Sequence, residues 1–283
     1  MVARLKRIGV DLGDDCAVLR PPPDCDLLIT TDQFIENVHF RFETHTARQV
    51  GYCALARAIS DIAAMGGDPR GYLVSIATSD STDNVWIRGF YAGQSELGVP
   101  LLGGDTAHAM TFSCDIVVVG SVPRGQALRR SGAKPGDLVY VSGTLGGSAK
   151  GMNEPGTKAW KRHVHPVPRL KLGRFLRGKA SACMDLSDGL STDLHRLCVE
   201  SRVAAEIDGE LPVFPGASEY VALHGGEDYE LLFTASPQAR IPESHDTLPL
   251  TRIGRIKAGK PGRVTLAGKA VEQLGYDHLM NYG

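Results

Sequence analysis

Residues 182–195 read ACMDLSDGLSTDLH. The lead-in SACMD is short and apolar, the texture of a buried strand. Beyond Gly189 the pattern changes, and LSTDLHRLCVES carries its apolar residues at helical spacing. A strand that passes through one turn straight into a helix is a building step of mixed α and β domains. Three acids, Asp185, Asp188 and Asp193, fall within nine positions of this junction, with no basic residue among them.

The same texture extends outward from it. CDLLITTDQF reads as a strand, and residues 46–65 carry a helical apolar pattern that stops at Gly66-Gly67, with Pro69 beyond. GYLVSIATS is a strand, STDNVWIRGFYAGQSELG a helix with capping residues at its start, and VPLLGGD and CDIVVVGSV are strands again. PRGQALRRSGAKPGD, rich in Pro, Gly and basic residues, breaks the series and marks a domain boundary near residues 123–136. After it come the strand LVYVSG, a Gly-rich turn into a short helix at GGSAKGM, the helix RLKLGRFL, the junction above and the strand DYELLFTAS. The expected fold is α+β: two mixed α/β domains, 1–125 and 126–283.

Composition narrows the function. The chain has 283 residues and a formal net charge of -1, which argues against a uniformly basic nucleic-acid binder. There is no run of about 18 apolar residues, so no membrane span is expected, and the basic start lacks the apolar stretch of a signal peptide. The six scattered cysteines form no C-x-x-C pair and read as reduced thiols of a cytoplasmic protein. RHVHPVPR places His163 and His165 two apart in what its prolines make an extended connection, without a second ligand pair for zinc.

The acids recur elsewhere. Asp14 and Asp15 follow Gly13, Asp32 ends LLITTD, Asp61 lies in ARAISDIAAMGG and Asp105 follows two glycines in LLGGDT. Each stands beside an apolar strand or helix, and no basic partner is evident at helical spacing. Taken singly, GDD and GGDT are good turn sequences, Asp188 a helix cap and Asp193 a solvated helix face. Asp61, an acid on an apolar helix face, needs a partner. Taken together they raise a question of repulsion, since two carboxylates 4 Å apart repel by about 4 kcal/mol at an effective dielectric near 20. Hard divalent cations such as Mg²⁺ relieve that repulsion, prefer oxygen ligands and bridge to substrate phosphates. A converging acid set therefore points to phosphoryl transfer from a nucleotide. The familiar phosphate loops are absent: there is no G-x-x-x-x-G-K-[ST], no G-x-G-x-x-G, no H-R-D and no D-F-G. Phosphates would be held by acids and metal ions, with help from Arg129, Arg130 or Lys134.

LGDDCAVL, TTDQFIENVHF, ALARAISDIAAMGGDP, LLGGDT, LRRSGAKPGD, MDLSDGLSTDL and GGEDYELLF follow one another in the order seen in the thiamine-monophosphate kinase family. The chain resembles that family from about Gly13 to Tyr276, within a superfamily that includes aminoimidazole ribonucleotide synthetase and selenophosphate synthetase. The resemblance implies transfer of the γ-phosphoryl group of ATP directly onto thiamine monophosphate, giving thiamine diphosphate, with several Mg²⁺ ions between donor and acceptor. It implies a metal shell of Asp15, Thr30, Thr31, Asp32, Asp61, Asp105, Asp185 and Asp188, with Thr30 or Thr31 contributing a backbone oxygen. Gly104, Asp105, Arg130, Ser187 and Tyr91 match nucleotide positions, and His39, Glu227 and Tyr276 match positions at the thiamine substrate. It also implies an N-terminal metal- and nucleotide-binding domain that pairs through its sheet in a homodimer, and a C-terminal domain that completes the active site. No catalytic base is named, because a phosphate oxygen is already ionised near neutral pH. On the residues alone, spacing favours an ordinary core or surface place for His39, Glu227 belongs to a turn and Tyr276 to packing. The chain departs from the family pattern in its short segment before GDD, in the brevity of GMNEPGTKAWKRHVHP and in Leu279, where an aromatic is common. Two other readings stay open: a synthetase of the aminoimidazole ribonucleotide or selenophosphate type, and a catalytically silent nucleotide-binding maturation protein. Against the selenophosphate type, Cys16 follows the GDD acids instead of preceding them; against the silent protein, every matched acid is present.

Overall fold

The structure is a computed structural model and describes residues 22–79 and 83–276. The chain divides into two compact units, one reaching to Ile62 and taking in Gly67–Gly125, the other comprising Ala63–Gly66 and Gln126–Gly283. Among the described residues no helix is long and apolar enough to cross a membrane. Among the described residues Cys25, Cys53, Cys114, Cys183 and Cys198 form no disulfide.

In the first unit, strands β1 (Cys25–Ile35), β2 (Asp68–Thr78), β3 (Leu101–His108) and β4 (Ser113–Pro123) form a sheet of order β1-β4-β2-β3. Only β2 and β3 run parallel. Helices α1 (Ala47–Ala64) and α2 (Asn84–Ser95) accompany it, and Asp83 caps α2 by accepting the Trp86 amide hydrogen at 2.7 Å. Strand β4 shows why one face is covered: Cys114, Ile116 and Val118 are buried while the residues between them are half-exposed, the period of two of a sheet packed on one side. On the other face Leu27 is 50% exposed and Ile29 70%.

The second unit holds β5 (Leu138–Ser142), α3 (Gly147–Gly151), α4 (Lys158–Val164), α5 (Leu170–Leu176), β6 (Ala180–Asp185), α6 (Leu190–Glu200), β7 (Ala204–Ile207), α7 (Glu219–His224), β8 (Leu231–Ala235), β9 (Ser244–His245), β10 (Leu248–Lys257), β11 (Val264–Leu266) and β12 (Lys269–Ala270). Its sheet runs β12-β11-β7-β10-β5-β8-β6, with β9 paired to β10. Both faces are covered. Ala182 and Met184 of β6 join one apolar cluster with α6, while Cys183 between them joins another with α5. That double burial is why SACMD and ELLFTA read as continuous apolar runs without alternation.

Candidate active site

In the first unit the pleat sorts the candidates by face. Thr30 and Asp32 stand in register with buried Val118 and Ile116, so both point to the side of α1. There the Thr30 hydroxyl donates to Asp61 Oδ2 at 2.5 Å, which gives the acid on the apolar helix the partner it needs. Thr31, between them, is exposed on the opposite face. Asp105 lies within β3, not in a turn, in register with exposed Ser75. The sheet thus brings Thr30, Asp32 and Asp61 to one face and sets Asp105 on the other, where its Oδ1 accepts the Thr106 amide hydrogen at 2.8 Å. Gly104 sits against β2: a Cβ there would be 2.1 Å from the Val74 carbonyl oxygen, so the close strand pairing itself excludes a side chain. Asp15 lies outside the described residues.

The expectation that these acids lack basic neighbours is overturned. Arg57, one helical turn before Asp61 on α1, places its Nε 3.6 Å from Asp32 Oδ2. Its guanidinium also covers the Phe34 ring at 5.1 Å. Phe34 in turn stacks on His39, with ring centroids 5.5 Å apart and planes 21° from parallel. His39 Nδ1 accepts the Ile35 amide hydrogen at 3.0 Å, which in a neutral ring puts the proton on Nε2. Tyr91 is buried on α2 edge-on to Phe90, and burial pushes its hydroxyl up to about 12.

In the second unit the backbone ties three motifs into one block. The Glu227 amide donates to the Ser187 carbonyl at 2.7 Å, Tyr229 to Leu186 at 2.9 Å and Tyr276 to Asp188 at 3.0 Å. Asp185 ends β6 and is buried, as is Asp188. Gly189, not Asp188, is the N-cap of α6, and its φ of 109° is one that a side chain rarely tolerates. Asp193 is not on a solvated face. It is fully buried and reaches back to accept the amide hydrogens of Asp188 and Gly189 on one oxygen, at 3.0 and 3.1 Å. These donors at the start of α6 have no helical acceptor, and Gly189 has no side chain to offer one. Burial outweighs them and raises the Asp193 carboxyl to about 7. Arg196 supplies the missing cation, donating from Nη1 to Asp188 and, at 3.1 Å, to Asp193 Oδ1. Ser187 is half-buried, Tyr276 is 38% exposed and Arg130 is exposed.

Sequence reasoning missed a second ring of polar groups behind this block. Asp228 is buried and accepts the amide hydrogens of Gly146 at 2.6 Å and Ser148 at 3.1 Å, and burial raises its carboxyl to about 6. Glu230 is fully buried and receives Arg162, Arg169 (Nε at 2.7 Å) and the Ser142 hydroxyl at 2.5 Å. His163 is buried on α4, not in an extended connection, because Thr157 caps a helix there by accepting the Trp160 amide hydrogen at 3.0 Å. The prolines intervene only after His165. His163 Nδ1 lies 3.0 Å from Ser148 Oγ and 3.4 Å from Glu227 Oε2. The available signal was the acids of EDYELLF, set immediately before an apolar strand and therefore bound to need buried partners. Among the described residues no group of three or more His, Cys, Asp or Glu is arranged to hold a metal.

The AIR synthase related protein N-terminal domain family matches residues 13–122, and the corresponding C-terminal domain family matches residues 134–267. The chain belongs to the AIR synthase related family. Within it, the chain is 37% identical to the thiamine-monophosphate kinase of Escherichia coli K12, over 98% of this chain and 94% of that protein. The crystal structure of thiamine-monophosphate kinase from Stenotrophomonas maltophilia K279a superposes with a TM-score of 0.83 at 37% identity, covering 95% of this chain and 94% of that one. AaThiL complexed with AMPPCP and TMP gives a TM-score of 0.79 at 30% identity, covering 98% and 94%. The two matched domain families fit the two mixed α/β domains expected from the sequence.

Proposed function

We propose that this chain is an ATP-dependent kinase that phosphorylates thiamine monophosphate to thiamine diphosphate. The observation that carries the reading is the near-complete match to thiamine-monophosphate kinases over both domains, with the motif residues Thr30, Thr31, Asp32, Asp61, Asp105, Asp185 and Asp188 all present. AaThiL, a structural relative, is complexed with AMPPCP and TMP, an ATP-like and a thiamine-phosphate-like pair.

The donor chemistry fits Mg²⁺. Thr30, Thr31, Asp32, Asp61 and Asp105 of the first unit and Asp185 and Asp188 of the second offer oxygen alone, the hard donors that Mg²⁺ prefers. Thr30, Asp32 and Asp61 share one sheet face and would offer a partial set to an ion that keeps several waters, as would Asp185 and Asp188 in the second unit, whereas Thr31 and Asp105 lie on the opposite face of the first sheet. Asp15 matches the same shell. Bound Mg²⁺ supplies neutralisation of the phosphate charges that would otherwise hold donor and acceptor apart.

The chain's own residues orient the reactants for an in-line transfer. Exposed Arg130 and Gly104, half-buried Ser187 and buried Tyr91 match the nucleotide positions. The Glu227 carboxylate complements the cationic thiazolium, and the half-exposed Tyr276 ring offers it a π face. Glu227 is fixed by its own amide to the Ser187 carbonyl, so the thiamine side and the nucleotide side of this unit share one backbone frame. His39 matches a thiamine position by motif, and Phe34 and the Ile35 amide orient its ring. The acceptor oxygen is ionised near pH 7, since the second pKa of a phosphate monoester is ≈ 6, so no side chain has to remove a proton.

The open face of the first sheet, with Leu27 and Ile29 exposed, supports pairing of two copies through that domain. A cytoplasmic setting is consistent with ATP as co-substrate. The deciding experiment supplies folded protein with ATP, thiamine monophosphate and Mg²⁺ and follows thiamine diphosphate. Absence of product at saturating substrate sinks the reading.

A further inference from the structure

Arg57 is a charged residue of the first unit to which the phosphoryl-transfer reading gives no task. Only 9% of its side chain is exposed, and a buried guanidinium is costly unless it is paired. Its Nε stands 3.6 Å from Asp32 Oδ2, within ion-pair range but beyond a good hydrogen bond. The Phe34 ring holds the guanidinium on another side, 5.1 Å from the ring centroid. Arg57 is thus steered by packing toward Asp32. One turn along the same helix is Asp61, which takes the Thr30 hydroxyl. The acids assigned to the metal on this face therefore have a cation built in among them.

We propose that Arg57 is a resident counter-ion of the acid site. In the metal-free chain it offsets the charge of Asp32, and it thereby sets how tightly the first unit takes up a divalent cation. This rests on the reading of Asp32 as a metal ligand. A positive charge within ~4–6 Å makes a carboxylate hold a proton tenfold or more weakly, and it weakens the hold on a divalent ion in the same sense. Removing that charge has two linked consequences. The metal binds more tightly, and the metal-free chain loses stability because the positive charge beside Asp32 is gone.

The test uses the full chain with Mn²⁺ as the probe, binding being read from the paramagnetic resonance signal of free Mn²⁺. The site concerned is the one lost in Asp32→Asn. Arg57→Met is expected to bind Mn²⁺ at that site roughly tenfold more tightly than wild type. It should also melt below wild type in chelator and recover most of the difference in saturating Mn²⁺. Arg57→Lys, which keeps the charge but loses the planar stack, should stay near wild-type affinity. Arg57→Gln keeps a long polar side chain and should show the same tightening if the Met variant does not fold. Unchanged or weaker Mn²⁺ binding in the neutral variants overturns the proposal, as does a loss of melting temperature that is equal with and without Mn²⁺. That pattern belongs to a residue that only packs. A wild type that binds no Mn²⁺ overturns the metal reading itself.

Discussion

The two units hold their acids by different means. In the first, Asp32 and Asp61 lie between a sheet face and a helix, where side chains reach them, Arg57 toward Asp32 and the Thr30 hydroxyl toward Asp61. In the second, Asp188 and Asp193 belong to a loop whose backbone bonds to two other motifs, and behind it stand two further buried carboxylates with their own donors. Side-chain pairs can exchange partners when a cation arrives at little cost to the fold. A loop clamped by main-chain bonds presents its acids in one geometry whatever is bound. The contrast predicts that substitutions around the second unit's acids act first on stability, and those in the first unit on ligand affinity.

The strongest attack on that contrast is Glu230→Gln. It leaves Arg162 and Arg169 facing a neutral group in a place from which water is excluded. Removing one partner of a buried pair costs about 3–5 kcal/mol, so the second unit should show a large loss in denaturant or thermal unfolding. A loss below about 1 kcal/mol, the ceiling for an exposed pair, would make the frame behind the loop dispensable.

Asp228 gives the next largest effect, and it depends on pH. Burial raises its carboxyl from 3.8 to about 6, so between those values the folded chain binds more protons than the unfolded one. Linkage then requires stability to fall as pH rises through that window, by no more than about 3 kcal/mol. Asp228→Asn cannot titrate. The stability of wild type relative to this variant should therefore decline from pH 4 to pH 6 and be flat above pH 7. A difference that does not change with pH would mean that the carboxylate is already ionised at pH 4, held by the Gly146 and Ser148 amides.

How much of this could be read in the sequence depended on local pattern. Elements with a clean period, such as α1, β4 and the β6–α6 junction, stood out, as did the Pro-, Gly- and Arg-rich segment after β4. Strand β10 did not, because a register shift between Arg252 and Gly254 breaks the alternation that marks a strand. Helix α4, seven residues long, is too short to show a period. The acids were visible as a set, and Arg196, three positions after Asp193 on the same helix, was there to be read as well. Arg57 reaches across 25 positions to Asp32, a pairing that spacing cannot reveal. Asp193 was misjudged for a local reason: an acid in the first turn after a glycine cap has unsatisfied amide hydrogens to serve, and that outweighed the pull of solvent.

Asp188→Asn probes the clamped loop by function. Asn keeps the backbone bonds that Asp188 makes, including the Tyr276 amide to its carbonyl, but halves the negative charge that Arg196 offsets. Turnover of thiamine monophosphate should fall by about a hundredfold or more while the circular dichroism spectrum is retained. Unchanged turnover would remove Asp188 from the metal shell and leave its carboxylate a purely structural role with Arg196.

The mildest substitution tests the other side of the contrast. Thr30→Val keeps the shape and β propensity of the strand and deletes the hydroxyl that donates to Asp61 at 2.5 Å. The pair is only partly buried, so stability should fall by about 1.5 kcal/mol, the lower end for a hydrogen bond to a charged group. Asp61 is then left on an apolar helix face with less to hold its charge, and a divalent cation becomes the better partner. The apparent Mg²⁺ requirement of the reaction should therefore stay the same or drop, whereas loss of a true ligand would raise it. If the requirement rises severalfold, Thr30 holds the metal through its side chain and not through its backbone oxygen. The first unit's acids would then be as rigidly shared as those of the second.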